Sequence, residues 1–173
     1  QIEIHTEVSG IVESINFSEG GRVSQGQPLL RINDAELQAQ LAQAQTRDNL
    51  AAENERRAKL LLEKEAISQE EYDIASADFR TAQSQIQLIK AQLSKTVIRA
   101  PFSGRIGLRN ISKGSYVTPT TNIAQLVNTN KLKVSFSIPE KYANRVKVNN
   151  QIEFSVQGVP GEYTAKIYAT EPA

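Results

Sequence analysis

The sequence predicts an α+β fold in which a β-sandwich made of two half-motifs holds an inserted antiparallel α-helical coiled-coil hairpin, and a partial antiparallel β-barrel follows. Three observations predict it. Residues 33–95 contain neither glycine nor proline, which is typical of long helices. The stretches on either side of this segment are similar to each other at an offset of 94 residues. Beyond residue 130, apolar and polar residues alternate as they do in β-strands.

The helical segment, residues 34–95, divides into two helices at about 34–64 and 69–95. Asn33 and Asp34 offer an N-cap, with Glu36 in the first turn. The second start is a capping box, in which Ser68 is followed three residues later by Glu71. Two helices of nearly equal length joined by a tight junction predict an antiparallel hairpin that returns the chain to its origin.

The second helix carries a regular apolar seam with alternating spacings of three and four residues, the pattern of a coiled coil. The first helix answers less cleanly, because Asp48 and Glu55 interrupt its middle. We expect these two acids to be solvated or to face a neighbour rather than to form a metal site or an acid/base pair. The predicted seam positions are Tyr72, Ala75, Phe79, Ala82, Ile86, Ile89 and Leu93 in the second helix, and Leu37, Leu41, Ala44, Asp48, Ala51, Glu55, Ala58 and Leu62 in the first.

Two copies of one β-unit flank the hairpin, at residues 1–33 and 96–130. Each copy is too short to bury a core alone, so we expect the two halves to pack into one small β-sandwich. Glycines recur at equivalent turn positions, which indicates a backbone requirement. Identical residues at the offset of 94 include Ser9 and Ser103, Gly10 and Gly104, Asn16 and Asn110, Ser18 and Ser112, Gly20 and Gly114, and Val23 and Val117.

A third region, residues 131–173, contains three predicted strands. Residues 132–138 alternate without a fault and stop at Pro139. Ile152, Phe154 and Val156 mark a second strand, and residues 165–168 a third. About forty residues cannot close a six-stranded barrel, so we expect an incomplete β-barrel domain.

Composition excludes several classes of function. A balance of 20 Lys and Arg against 19 Asp and Glu argues against a nucleic-acid binder. The absence of cysteine excludes disulfides and thiolate zinc sites, and His5, the single histidine, is expected at the surface without a ligand. We therefore expect no catalytic, cofactor or metal site. No apolar run exceeds three residues, and because the chain starts at Gln1 and lacks methionine, we expect any targeting sequence upstream.

The half-units resemble those of one known family. Residues 8–23 and 100–117 look like the two lipoyl half-motifs of the periplasmic adaptor subunits (membrane fusion proteins, HlyD-like) of bacterial tripartite efflux pumps, most like the resistance-nodulation-division type. Residues 136–140 look like the start of that family's barrel domain. True lipoyl domains carry a modified lysine in the turn between their halves. Here the hairpin replaces that turn, so the resemblance implies the fold without its covalent chemistry.

The hairpin junction carries a second part of the resemblance. Arg57, Leu61 and Ser68 have the spacing RxxxLxxxxxxS, which is similar to the tip motif by which such adaptors dock to a TolC-type outer-membrane channel. The residues alone also permit a local role, because Ser68 can cap a helix, Leu61 can cover the turn and Arg57 can pair with Glu53. Both roles can hold together, since a capping hydroxyl fixes the loop that presents the surface.

The resemblance implies a non-enzymatic adaptor in the periplasm that links an inner-membrane efflux transporter to a TolC-type channel. It further implies a homo-oligomeric ring in the assembled pump and attachment to the inner membrane through a part not present in this chain. The alternatives are an adaptor of an ABC-type exporter or type I secretion system, an acyl-carrier domain, which would need a modified lysine, and a structural coiled-coil module.

Overall fold

The computed structural model describes residues 1–128, 133–139 and 145–170. The molecule is α+β and divides into two compact units, Gln1–Leu132 and Lys133–Ala173. No helix in the described ranges has the length and apolar character needed to cross a bilayer. The elements of the first unit are β1 (Ile2–Ile4), β2 (Gly10–Ile15), β3 (Arg22–Val23), β4 (Pro28–Ile32), α1 (Ala35–Glu63), α2 (Gln69–Thr96), β5 (Val97–Arg99), β6 (Gly104–Arg109), β7 (Tyr116–Val117) and β8 (Ala124–Val127).

The eight strands of this unit form two four-stranded sheets, and each sheet contains strands from both sides of the hairpin. One sheet has the order β1-β8-β6-β3 and the other β5-β4-β2-β7, and all pairings are antiparallel. Each sheet therefore takes two strands from the segment before the helices and two from the segment after them. Neither segment can form either sheet alone.

The pairing register repeats with the sequence offset. Gly10 lies opposite Val117 in the β2–β7 pair, and 94 residues away Gly104 lies opposite Val23 in the β6–β3 pair. The β1–β8 and β5–β4 pairs are related in the same way. The repeat is therefore a pseudo-two-fold relation between the two segments.

One hydrophobic core lies under both sheets. Burial of the branched apolar side chains in this core supplies the main favourable term in the stability of the unit. The largest fully buried side chains come from both segments, and they are Val12, Leu29, Leu30, Ile32, Ile106, Val117, Ile123 and Leu126.

The hairpin is inserted between β4 and β5. Its helices have 29 and 28 residues, which corresponds to about 42–44 Å each at 1.5 Å per residue. Every residue of the predicted seam is buried or half-buried, with Ala44, Ala82 and Ile89 the most enclosed. The two helices thus pack along the predicted stripes.

The start of α1 differs in detail from the sequence expectation. Asp34 is the N-cap residue, but its side chain makes no capping bond and instead accepts from Nη2 of Arg31 at 2.9 Å. Asn33 Oδ1 accepts from the backbone N–H of Ala35 at 3.1 Å. Arg31 therefore pairs with the Asp34 carboxylate, and Asn33 supplies a side-chain hydrogen bond to the first turn of the helix.

The described part of the second unit contains one β-hairpin, formed by β9 (Gln151–Val156) and β10 (Val159–Lys166). The predicted strand at 165–168 is wrong in extent, because β10 ends at Lys166. Ile167 is buried beyond it and exchanges backbone hydrogen bonds with the loop residues Asn149 and Asn150.

The predicted half-buried strand at 132–138 is wrong for residues 133–138, and position 132 lies outside the described residues. Residues 133–139 form no strand and are exposed throughout. An alternating pattern states which face a strand would bury, but it supplies no neighbouring strand to accept its hydrogen bonds. In the described part of this unit, β9 and β10 pair only with each other.

Candidate functional site

The junction between α1 and α2 is a tight turn closed by backbone hydrogen bonds. The N–H of Glu65 donates to the carbonyl of Leu62 at 2.9 Å, and the N–H of Ala66 donates to the carbonyl of Leu61 at 2.8 Å. These two bonds form a Schellman motif, which satisfies carbonyls that the end of a helix leaves without partners. The turn is therefore fixed by its own backbone.

Glu65 occupies the left-handed position of this motif, with φ 54°. Glycine is usual at that position because an L side chain is strained there. The sequence pattern does not indicate this feature, since no glycine marks the end of α1.

The capping box predicted at the start of α2 is confirmed. Ser68 Oγ accepts from the backbone N–H of Glu71 at 3.2 Å. A carboxylate oxygen of Glu71 accepts from the backbone N–H of Ser68 at 2.8 Å and from its hydroxyl at 3.1 Å. These bonds from Ser68, the backbone one first, lower the pKa of Glu71 below its ordinary value. The Ser68 hydroxyl is thus committed to the turn.

Arg57 lies on the exposed surface of the last turns of α1. Its Nε donates to Oε1 of Glu53 at 2.9 Å, which is the predicted i,i−4 pair. Arg56 binds the same carboxylate through Nε and Nη2, each at 2.9 Å. The hydrogen bonds from Arg56, which have the larger effect, and from Arg57 lower the pKa of Glu53 to about 2. Among the described residues, Arg57 makes this bond through Nε alone, and its side chain is 65% exposed.

Leu61 follows Arg57 by four residues, so both lie on the same face of α1. Leu60 and Leu61 are each 44% exposed, although they point in different directions from the helix. The structure brings Arg57, Leu61 and Ser68 to the same end of the hairpin. It presents a guanidinium and an apolar side chain there, and the serine fixes the turn beside them.

Two of the seam positions carry polar contacts that the sequence pattern leaves unassigned. Tyr72 Oη donates to Oε1 of Glu55 at 2.9 Å, and this hydrogen bond is the largest cause of the raised pKa of Tyr72. Glu55 therefore faces a neighbour across the seam. Asp48 Oδ1 is buried and has no hydrogen-bond partner among the described residues.

The remaining candidate positions carry no metal-binding arrangement in the described residues, where no group of three or more His, Asp or Glu side chains could hold an ion. His5 is exposed, with Nδ1 3.1 Å from the carbonyl of Thr121 and Nε2 3.4 Å from a Glu3 carboxylate oxygen.

This architecture is that of the adaptor proteins known as membrane fusion proteins. Two β-segments contribute strands to the same two sheets, and a long helical hairpin with a locally fixed tip is inserted between them. Residues 1–129 match the family described as RND MFP, barrel-sandwich hybrid domain. The chain belongs to this family, the periplasmic adaptors of RND-type efflux pumps.

Two similar curated proteins are named for efflux or for multidrug resistance. The toluene efflux pump periplasmic linker protein TtgD of Pseudomonas putida is 38% identical over 120 residues, which cover 67% of this chain and 30% of TtgD. The multidrug resistance protein MdtA of Yersinia enterocolitica is 32% identical over 155 residues, which cover 80% of this chain and 35% of MdtA. The chain thus spans about a third of the length of these relatives.

A solved structure agrees in fold. The MacA–MexA chimeric protein, which contains the α-hairpin domain of Pseudomonas aeruginosa MexA, matches with a TM-score of 0.86 and 25% identity. The match covers 99% of this chain and 63% of the chimera.

Proposed function

We propose that this chain is the channel-facing part of a periplasmic adaptor that links an inner-membrane efflux transporter to a TolC-type outer-membrane channel. The adaptor docks to the channel through Arg57 and Leu61, and Ser68 holds the turn in the docking shape. The observation that carries this proposal is the doubly fixed tip, in which a Schellman motif at residues 61–66 is followed directly by a capping box at residues 68–71. A fixed loop presents its side chains at a lower entropic cost on binding.

We propose further that the two four-stranded sheets form a lipoyl-like sandwich and that residues 131–173 contribute to a partial β-barrel domain. The pseudo-two-fold register supports the first assignment. The β9–β10 hairpin supports the second. The domain boundaries at residues 33, 95 and 130 follow from these assignments. The hairpin replaces the turn that carries the modified lysine in true lipoyl domains. We therefore propose that the sandwich supports the two helices and that the adaptor has no catalytic activity.

The tip of a single hairpin offers a small contact, below the roughly 1,000 Å² expected of a stable interface. We propose that several adaptors form a ring, in which the linked tips raise one another's effective concentration at the channel. We also propose that the adaptor is attached to the inner membrane, where the transporter lies.

Two substitutions at the tip test the docking proposal. Arg57→Asp and Leu61→Ser, each made in the full adaptor in cells, should raise drug susceptibility and weaken cross-linking to the channel, because they remove the exposed cation and the apolar contact. Folding should survive, since exposed substitutions usually change stability by less than about 0.5 kcal/mol.

Two neighbours supply matched controls. Arg56→Asp removes an arginine that binds the same Glu53 carboxylate. Leu60→Ser removes a leucine with the same 44% exposure as Leu61. Both controls should leave channel cross-linking unchanged. Equal effects of the control and the tip variants would show that the motif has no special role in docking.

A further inference from the structure

Strands β3 and β6 place two arginines side by side. Arg22 lies directly opposite Arg105 in the antiparallel pair that these strands form. Each arginine immediately precedes a buried core residue on its strand, so both side chains point away from the core. Both are exposed. The outer surface of this sheet therefore carries two neighbouring cations.

The backbone brings these two side chains close together. The N–H of Ile106 donates to the carbonyl of Gly21 at 3.0 Å, one residue beyond the arginine pair on each strand. This flanking bond identifies the arginines as a non-hydrogen-bonded pair, in which the Cα atoms lie about 4.5 Å apart, the shorter of the two spacings in an antiparallel sheet. The two guanidinium groups can therefore reach one small ligand together.

The guanidinium of Arg105 is held in place by the neighbouring strand. Its Nε donates to the carbonyl of Gly20 at 2.7 Å. Gly20 precedes Arg22 by two residues, so this bond keeps the Arg105 guanidinium beside β3. Among the described residues, Arg105 makes a side-chain hydrogen bond through Nε alone, and Arg22 makes none. The Nη groups of a partly fixed guanidinium thus remain available, which lowers the entropic cost of binding.

No carboxylate in the described part of the chain forms an ion pair with Arg22 or Arg105. Glu19 is the acid nearest to Arg22 along the chain, but its carboxylate lies 3.3 Å from Nε of Arg109 and accepts from the backbone N–H of that residue at 3.3 Å. Like charges directly opposite each other in a sheet are destabilising. The arginine pair therefore carries two positive charges at a cost to stability.

The internal repeat shows that the fold does not require this pair. The positions related to it by the offset of 94 residues hold Ile11 and Tyr116, which also lie opposite each other. The equivalent flanking bond is present there, from the N–H of Val12 to the carbonyl of Ser115 at 2.9 Å. Ile11 and Tyr116 are 51% and 67% exposed. The same backbone thus accepts an uncharged pair, which indicates that the arginines serve another purpose.

We propose that Arg22 and Arg105 form a binding site for a phosphate group, either as the free anion or as the exposed headgroup of a phospholipid. A guanidinium binds phosphate through two parallel N–H···O bonds. A phosphate monoester carries a charge of about −1.5 to −2 at pH 7, which two arginines balance. This inference is independent of channel docking, because neither arginine belongs to the hairpin.

Isothermal titration calorimetry of the full adaptor tests the proposal. The probes are inorganic phosphate and dihexanoyl phosphatidic acid, a lipid with a phosphate monoester headgroup, used below the concentration at which it forms micelles. Dihexanoyl phosphatidylcholine, whose phosphate is a diester beside a choline cation, is the control ligand. The ionic strength is kept low because salt screens exposed charges. Wild-type adaptor should bind a phosphate probe more tightly than the choline lipid.

The decisive variant combines Arg22→Tyr with Arg105→Ile, which installs the residues that the repeat places at the equivalent positions. It should weaken phosphate binding by at least about tenfold, because it removes both charged donors. Its melting temperature should be no lower than that of the wild type, because the like-charge pair is gone. Loss of binding therefore cannot be attributed to unfolding.

A charge-matched control combines Arg99→Gln with Lys113→Gln, which also removes two positive charges. Both side chains are exposed, and neither has an ion-pair partner in the described ranges. Arg99 also resembles Arg105 in donating to a backbone carbonyl, from Nη1 to that of Gly26 at 2.9 Å. This control should bind the phosphate probes as the wild type does, because the arginine pair is intact.

The two probes distinguish the sources of the phosphate. Tighter binding of phosphatidic acid than of inorganic phosphate would support a phospholipid headgroup, whereas equal or weaker binding of the lipid would support the free anion. Failure of both probes to bind, equal binding of phosphatidylcholine, or an equal effect of the arginine and control variants would overturn the proposal. Channel docking is judged separately through Arg57 and Leu61, so either proposal can fail without the other.

Discussion

At the scale of single residues, Glu65 illustrates how the tip is held in shape at a cost. Its left-handed φ of 54° is imposed by the Schellman bonds on either side of it. An L residue in this conformation costs roughly 1–2 kcal/mol, which glycine avoids while losing about 0.5–1 kcal/mol more backbone entropy on folding. The turn therefore keeps its form against a local conformational preference.

We expect Glu65→Gly to stabilise the hairpin by about 0.5–1 kcal/mol, the difference between these two terms. Thermal unfolding followed by circular dichroism measures the change. Lys64→Gly is the control, because Lys64 has an ordinary φ of −96° and glycine there gains nothing. A Glu65→Gly variant no more stable than the wild type would show that the left-handed residue is not strained.

At the scale of elements, the start of α2 is set by local chemistry. Ser68 and Glu71 satisfy each other's backbone N–H groups, so the helix begins where the sequence pattern predicts. The seam is equally local in origin, because its positions follow from helical periodicity. Contacts across the seam are not local: the pattern names Tyr72 and Glu55 as seam residues, but only packing makes them partners.

We expect Ser68→Ala to cost about 1 kcal/mol of hairpin stability, the usual value of an N-cap, and Ser68→Thr to retain most of it. If channel binding falls with Ser68→Ala but recovers with Ser68→Thr, the serine acts through the turn. Loss of binding in both variants, at unchanged stability of the threonine variant, would instead assign Ser68 a direct contact.

Acid should weaken the same cap. The pKa of Glu71 is lower in the folded chain than its ordinary value of 4.5. Its contribution is therefore complete above about pH 4.5 and is lost as the pH falls through the lower, folded value. Glu71→Gln should flatten this part of the curve of melting temperature against pH. An identical acid dependence in wild type and Glu71→Gln would rule out a role for this carboxylate.

At the scale of the whole molecule, stability depends on two distant segments exchanging strands around one core. Gly10 and Gly104 are equivalent in the two halves, and both are positions of close approach. A Cβ at Gly10 would meet the Ile32 side chain at 2.5 Å, whereas one at Gly104 would meet the backbone carbonyl of Val127. The buried Ile32 side chain can relieve the clash only by a small shift within the core, whereas the backbone at Val127 cannot shift without disturbing the pairing of β6 with β8.

We expect Gly104→Ala to destabilise the first unit by about 1–3 kcal/mol, the range for overpacking, and Gly10→Ala to cost less. Gly107→Ala is the control, because its nearest neighbour, the Gln125 carbonyl oxygen, would lie at 3.5 Å, an ordinary contact. Chemical denaturation of the three variants measures the order. A Gly104→Ala variant as stable as Gly107→Ala would contradict the close approach of β6 and β8.

Sequence prediction succeeds for features formed by residues close together in the chain and fails for features that need a distant partner. The helices, the capping box, the seam and the Arg57–Glu53 pair are read from the sequence because each depends on neighbours within one or two turns. The strand predicted at 132–138 fails for residues 133–138, because alternation alone cannot supply a pairing partner.

The sequence by itself therefore determines the hairpin, its tip residues and the existence of a repeated β-unit, since propensity, capping and periodicity are short-range. Only the tertiary structure decides that the two β-segments on either side of the hairpin contribute strands to the same two sheets. This arrangement depends on contacts between segments that come together only after the chain folds, such as β1 and β8, which are more than a hundred residues apart.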